Sequence, residues 1–124
     1  MNVKTDILLI DAYGESSKFF NIAKYVFLGG SLIKHGGQNP IEASRLGCKI
    51  FHGPNIDNFF EIYEYLKSLK ISNQIYNSEE LNQSLVEEFK LGKVDNNQII
   101  EKIDNYGKNI LNNVINDLKK YINI

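Results

Sequence analysis

The stretch Gly29-Gly30-Ser31-Leu32-Ile33-Lys34-His35-Gly36-Gly37-Gln38-Asn39-Pro40-Ile41-Glu42 decides how this chain is read. It follows the apolar run Tyr25 to Leu28 and leads into residues of helical character. Two glycine pairs bracket a short polar loop, and Asn39-Pro40 then supplies an N-cap followed by proline at the first helical position. A strand, a glycine loop and a helix start in that order are how α/β proteins hold a nucleotide phosphate. A nucleotide or nucleotide-sugar site is the first expectation. A plainer reading uses the same residues: Asn39 at the N-cap with Glu42 three positions on is a variant of the capping box. On local pattern alone capping is the stronger reading. It leaves the two glycine pairs unexplained, and these suggest that something approaches the backbone closely.

Working outward, Ile7 to Ile10 is a short apolar run ended by Asp11-Ala12-Tyr13-Gly14 and predicts a buried first strand. Ser16 to Lys24 carries Phe19, Phe20, Ile22 and Ala23 at helical spacing, and Tyr25 to Leu28 reads as the second strand. Asn39 to Leu46 predicts a short helix closed by Gly47, and Cys48 to Phe51 a third strand. After His52-Gly53-Pro54-Asn55, the positions Phe59, Ile62, Tyr63, Leu66 and Leu69 make one face of an amphipathic helix. Ile71 to Tyr76 predicts a short fourth strand, and Ser78 the N-cap of a helix bearing Leu81, Leu85, Val86 and Phe89 that ends at Gly92. From Asn96 onward apolar residues recur every three or four positions, so the C-terminus reads as one long helix bent at Gly107. The alternation gives an α/β fold: a small parallel sheet of three to four strands with flanking helices and a long C-terminal helix. So small a sheet leaves an edge or an apolar face to be covered by more protein or by another copy.

The 124 residues fit a single domain, and 43% hydrophobic with 23% charged residues is a globular balance. A net charge of -1 gives no electrostatic footprint for nucleic acid. One cysteine, Cys48, permits no internal disulfide and fits a reducing compartment; no Cys/His pair has zinc spacing, so no metal site and no cofactor is expected. The polar N-terminus and the interruption at Asp11 argue against a signal peptide or membrane span.

Asp11-Ala12-Tyr13-Gly14-Glu15 and His52-Gly53-Pro54-Asn55 fall at the carboxyl ends of predicted strands, where open α/β sheets bind ligands. Both stretches are also ordinary turn sequence. His35 and His52 titrate near neutrality, yet each reads more simply as a loop residue than as an acid or base. Cys48, opening an apolar strand, reads as a buried inert thiol. No arrangement of nucleophile and base or of paired carboxylates stands out, so no catalytic residue is assigned.

Taken together, Asp11-x-x-Gly14-Glu15, Phe27-Leu28-Gly29-Gly30-Ser31-Leu32, Gly36-Gly37-x-Asn39-Pro40-Ile41-Glu42-Ala43 and Gly53-Pro54-x-x-x-Asn58-Phe59 resemble the 3-deoxy-D-manno-octulosonic acid (Kdo) transferases. Order and spacing match from about Asp6 to Leu69; beyond that only the layout of helices and strand is similar. Gln38 stands where that family usually has His before Asn-Pro. The resemblance implies a GT-B glycosyltransferase that moves Kdo from CMP-Kdo onto lipid A precursor, at the cytoplasmic face of the bacterial inner membrane. It implies that residues 1–124 are a single Rossmann-like unit, the latter part of the donor-binding C-terminal domain, without the N-terminal acceptor domain that carries the general base. By position Tyr13, Gly14, Glu15, Gly29, Gly30, Ser31, Asn39, Pro40, Ile41 and Glu42 would bind the CMP donor.

Two functions follow from this. One is an enzyme part that binds CMP or CMP-Kdo weakly and works with a separately encoded N-terminal transferase half, inactive alone. The other is a non-catalytic module that keeps the fold and self-associates. A homo-oligomer, no nucleic acid, and at most peripheral contact with membrane are expected in both.

Overall fold

A computed structural model of the chain describes residues 6–11, 14–92 and 95–122. The elements are α1 (Ser16–Phe20), β1 (Tyr25–Leu28), α2 (Ile41–Arg45), β2 (Lys49–His52), α3 (Phe60–Ser68), β3 (Ser72–Gln74), α4 (Ser78–Leu91) and α5 (Asn96–Ile122), with a 3-10 turn at Asp57–Phe59. The strands form a parallel sheet in the order β1-β2-β3, with Val26 opposite Ile50 and Ile50 opposite Ser72. Helices α2 and α3 make the two crossovers, which parallel strands require. The architecture is the α/β one that the sequence predicts, with three strands and a long terminal helix.

The alternation of side chains along a strand divides the core in two. On one face Val26, Leu28 and Ile50 pack with Ala43 of α2, Tyr63 and Leu66 of α3, Ile71, and Ile99 and Ile103 of α5. On the other face lie Tyr25 and the fully buried Phe51, their rings 6.4 Å apart. Phe89 of α4 meets the Tyr25 ring edge-on at 5.3 Å, and Glu88 pairs with the half-buried Lys49. Burial, and secondarily the Glu88 charge, raises the Tyr25 hydroxyl above its ordinary pKa. The apolar run that ends at Phe51 is thus a strand covered on both faces, whereas β1 leaves Phe27 exposed.

The run Ile7 to Ile10 is not a strand. Ile7 and Leu9 are each 84% exposed, and β1 pairs with β2 alone. Apolarity gives a segment reason to be buried, but a strand also needs a ladder partner, and none of the described chain offers one here. The cap of α4 also shifts by one residue: Asn77 Oδ1 accepts from the Glu80 amide at 2.9 Å while Glu80 Oε2 accepts from the Tyr76 amide at 2.8 Å. Helix α5 runs uninterrupted through Gly107. Among the described residues no helix is long and apolar enough to cross a membrane.

Candidate functional site

The loops that leave the carboxyl ends of β1 and β2 are laced together by one side chain. Ser31 is fully buried; its hydroxyl donates to the Leu28 carbonyl at 2.8 Å and accepts from the Gly53 amide at 2.8 Å. Its carbonyl accepts from the Asn55 backbone amide at 2.8 Å and from Asn55 Nδ2 at 3.1 Å. The chains run so close that a Cβ on Gly53 would fall 2.3 Å from the Ser31 carbonyl oxygen. Gly37, at φ +70°, is also tightly placed: a Cβ there would lie 2.9 Å from the Asn55 carbonyl oxygen. Glycine at 37 and 53 serves contact between two stretches of this chain's own backbone.

A second brace comes from α3. The buried Tyr63 hydroxyl donates to the Gln38 carbonyl at 2.8 Å, and burial raises its pKa above the ordinary tyrosine range. This bond seats residues 38–40 over the helix, with Pro40 fully buried. Asn39 remains exposed and its Oδ1 accepts from the Ile41 amide at 3.0 Å, an Asx turn just ahead of the helix. The N-cap of α2 is Pro40 rather than Asn39, and no side chain caps it, so the expected capping box does not form; the Glu42 carboxylate makes no hydrogen bond among the described residues, and its side chain is exposed.

The residues singled out in sequence therefore divide. Gly29, Gly30, Asn39, Pro40, Ile41 and Glu42 belong to one braced shelf, with Ser31 as its internal fastening. Gly29 faces open space, and Gly30, at φ +75°, has the exposed His35 ring beside it. Gly14 and Glu15 are exposed at the start of α1, and among the described residues no hydrogen bond joins them to the shelf. Tyr13 lies outside the described residues. Helix α1 packs against α2, which brings its neighbourhood toward the shelf. Ile41 lines a groove of about 400 Å³ between α2 and α5.

The titratable groups near the shelf are structural in their surroundings. His52 is buried at the end of β2, its ring centroid 4.1 Å from that of Tyr63, and its Nδ1 lies 2.7 Å from the Gly53 carbonyl oxygen. A carbonyl can only accept, so Nδ1 carries the proton and donates. Desolvation lowers the His52 pKa, outweighing the Gly53 bond and the Glu64 charge that favour its protonated form. Cys48 is fully buried, its thiol 3.2 Å from the Phe20 carbonyl oxygen, and burial pushes its pKa up to about 11. The inert thiol expected from sequence is what the fold contains. Among the described residues no group of His, Cys, Asp and Glu is placed to hold a metal ion. What the arrangement offers chemically is a rigid, solvent-facing ledge of backbone, amide and carboxylate groups, suited to holding a ligand.

The chain is similar to curated transferases of one kind. It is 38% identical over 65 residues to the 3-deoxy-D-manno-octulosonic acid transferase of Haemophilus influenzae, covering 52% of this chain and 15% of that protein. The Rickettsia prowazekii transferase of the same name is 30% identical over 120 residues, 97% of this chain and 24% of its own length. That of Aquifex aeolicus is 26% identical over 86 residues, 69% of this chain and 24% of its own length. No protein-family model matches the chain. This chain spans between 15% and 24% of the length of these three relatives, and over that span it is Kdo-transferase-like in sequence.

Proposed function

We propose that the braced shelf is one wall of a CMP-Kdo donor site. The observation that supports this is a coincidence of two independent features. The residues that carry the resemblance, Gly29 to Glu42 with Gly53 to Phe59, are the same ones that Ser31 and Tyr63 lock into a single exposed ledge at the carboxyl end of the sheet. That is where open α/β sheets bind nucleotides. On this reading Glu42, exposed and without a hydrogen-bond partner among the described residues, accepts from the ribose hydroxyls. Gly29 and Gly30 let the nucleotide lie against the backbone, and Tyr13, Gly14 and Glu15 close the near side. Ser31 acts from beneath, by holding the loop.

The reaction of the full relatives, transfer of Kdo to lipid A precursor, then needs a partner. Transfer requires donor, acceptor and base held in one geometry, and a donor wall alone cannot supply that. The chain acts with an N-terminal transferase half, at the cytoplasmic membrane face, and has no transferase activity by itself.

Calorimetric titration of CMP into the purified chain tests the donor wall. Weak binding that Glu42→Ala reduces is the expected result; no heat, or identical heats for both proteins, overturns it. Repeated turnover of CMP-Kdo by the isolated chain, with lipid A precursor present, overturns the division of labour.

A further inference from the structure

The loop from Ser31 to Gln38 is fastened at both ends. At its start the Ser31 hydroxyl accepts from the Gly53 amide, and at its end the Gln38 carbonyl accepts from the Tyr63 hydroxyl. Leu32 to His35 between them are exposed. Among the described residues no hydrogen bond joins Ser31 to Tyr63, yet one side chain touches the partners of both. His52 is 3% exposed, its Nδ1 donates to the Gly53 carbonyl at 2.7 Å, and its ring centroid lies 4.1 Å from that of Tyr63.

We infer that His52 is a positioning residue for the shelf: it couples the Ser31 brace to the Tyr63 brace, so that the two hold or yield together. Gly53 carries no Cβ, and its backbone is free to turn unless something fixes it. Ser31 holds its amide and His52 its carbonyl, so the pose of the imidazole and the backbone angles of Gly53 are set jointly. The same imidazole packs on Tyr63, which is 1% exposed, and in a close-packed interior two buried rings in contact do not turn independently. Contacts therefore run without a gap from Ser31 through Gly53, His52 and Tyr63 to Gln38.

The charges that reach the ring are Glu64 and Lys67 of α3, both exposed and opposite in effect. From the neighbouring strands Leu28 and Gln74 stand opposite His52, and neither carries a charge. Desolvation opposes protonation of the buried ring, so added protons favour the state in which the shelf has loosened and His52 is wet. The coupling thus carries a pH signature that a residue merely filling space lacks. Its consequence for CMP rests on the donor-site reading, whereas the coupling itself does not.

Amide hydrogen exchange of the full chain tests the coupling without ligand. Protection of the Gly53 amide is read relative to that of Ile50, which donates to the Ile71 carbonyl inside the sheet and reports global stability. Tyr63→Phe, which cuts the brace at the far end of the loop, is expected to lower the Gly53 ratio at least about twofold, the low end of couplings between touching residues. His52→Gln keeps a donor toward Gly53 but removes the ring, and in that background Tyr63→Phe is expected to leave the ratio unchanged. In the parent the ratio is also expected to fall as pH drops below 6.5, and His52→Gln to abolish that fall. Calorimetry with CMP is expected to show affinity declining more steeply with acid in the parent than in His52→Gln, a comparison that cancels titration of the CMP phosphate. An unchanged ratio in Tyr63→Phe, an equal drop with and without His52, or pH dependences of exchange or of CMP affinity that His52→Gln leaves as they were overturn the inference. Absence of CMP binding overturns the donor-site reading instead, and the exchange ratios still decide the coupling.

Discussion

Ser31 and Gly53, 22 residues apart in sequence, are joined by a 2.8 Å hydrogen bond from the Gly53 amide to the Ser31 hydroxyl, and no Cβ fits between their backbones. Two substitutions separate the two halves of that contact. Ser31→Ala strands a buried amide and is expected to cost about 1–3 kcal/mol. Gly53→Ala drives a methyl into the Ser31 carbonyl and is expected to cost about 3 kcal/mol. Gly29→Ala, with open space around it, is expected to stay within about 0.5 kcal/mol of the parent. Urea denaturation ranks the three, and equal stabilities for Gly53→Ala and Gly29→Ala would contradict the close approach.

Tyr63→Phe keeps the ring in the core and removes only the bond to the Gln38 carbonyl. A loss of about 1 kcal/mol is expected. Because that bond seats residues 38–40, CMP affinity should fall in the same variant, while a substitution on the far face of the sheet that costs as much stability should leave affinity alone.

The burial of His52 makes stability depend on pH in a definite direction. Its pKa is lowered in the folded chain from an ordinary value of 6.5, so below that pH the unfolded chain takes up a proton that the folded one refuses. The unfolded state then binds more protons, and stability falls as pH drops through 6.5 toward the lower folded value. Above 6.5 both states are neutral at this residue and it contributes no slope. Denaturation midpoints measured across pH 7.5 to 5 should show the decline, and His52→Gln should flatten it; an unchanged slope in that variant would assign the effect to other groups.

Cys48 should resist modification in the folded chain. With its thiol fully buried and its pKa raised to about 11, almost no thiolate is available near neutrality. Reaction with an aromatic disulfide reagent should follow the rate of unfolding and become fast in denaturant. Rapid labelling of the native chain would show that the segment from Phe20 to Ala23 does not stay closed over Cys48.

Much of this fold was legible because its elements carry local signals. Tyr25 to Leu28 and the run ending at Phe51 are short apolar stretches stopped by glycine, and Phe59 to Leu69 keeps helical period. The strand expected at Ile7 to Ile10 carried the same apolar signal, but ladder pairing is a property of two segments and cannot be read from one. The site divided in the same way. The position of the ledge was readable from the order of strand, glycine loop and helix start. The role of Ser31 was not, because its partners are Gly53 and Asn55 on another loop, and the Tyr63 hydroxyl finds Gln38 only once α3 is packed. Of the two glycine pairs that suggested close backbone approach, Gly37 alone meets other backbone closely, and the visitor there is the chain itself; Gly53, which reads in sequence as loop punctuation, makes the closest approach.

Helix α5, with 27 residues, is about 40 Å long at 1.5 Å per residue, yet only its first turns are anchored. Amide hydrogen exchange along it should form a gradient. Amides near Ile99 and Ile103 open only with the whole domain, while those toward Ile122, where the helix is exposed, open by local unfolding. A single helix thus becomes an internal scale of how far the core's protection reaches, and steepness that falls as protein concentration rises would record the arrival of whatever covers its outer half.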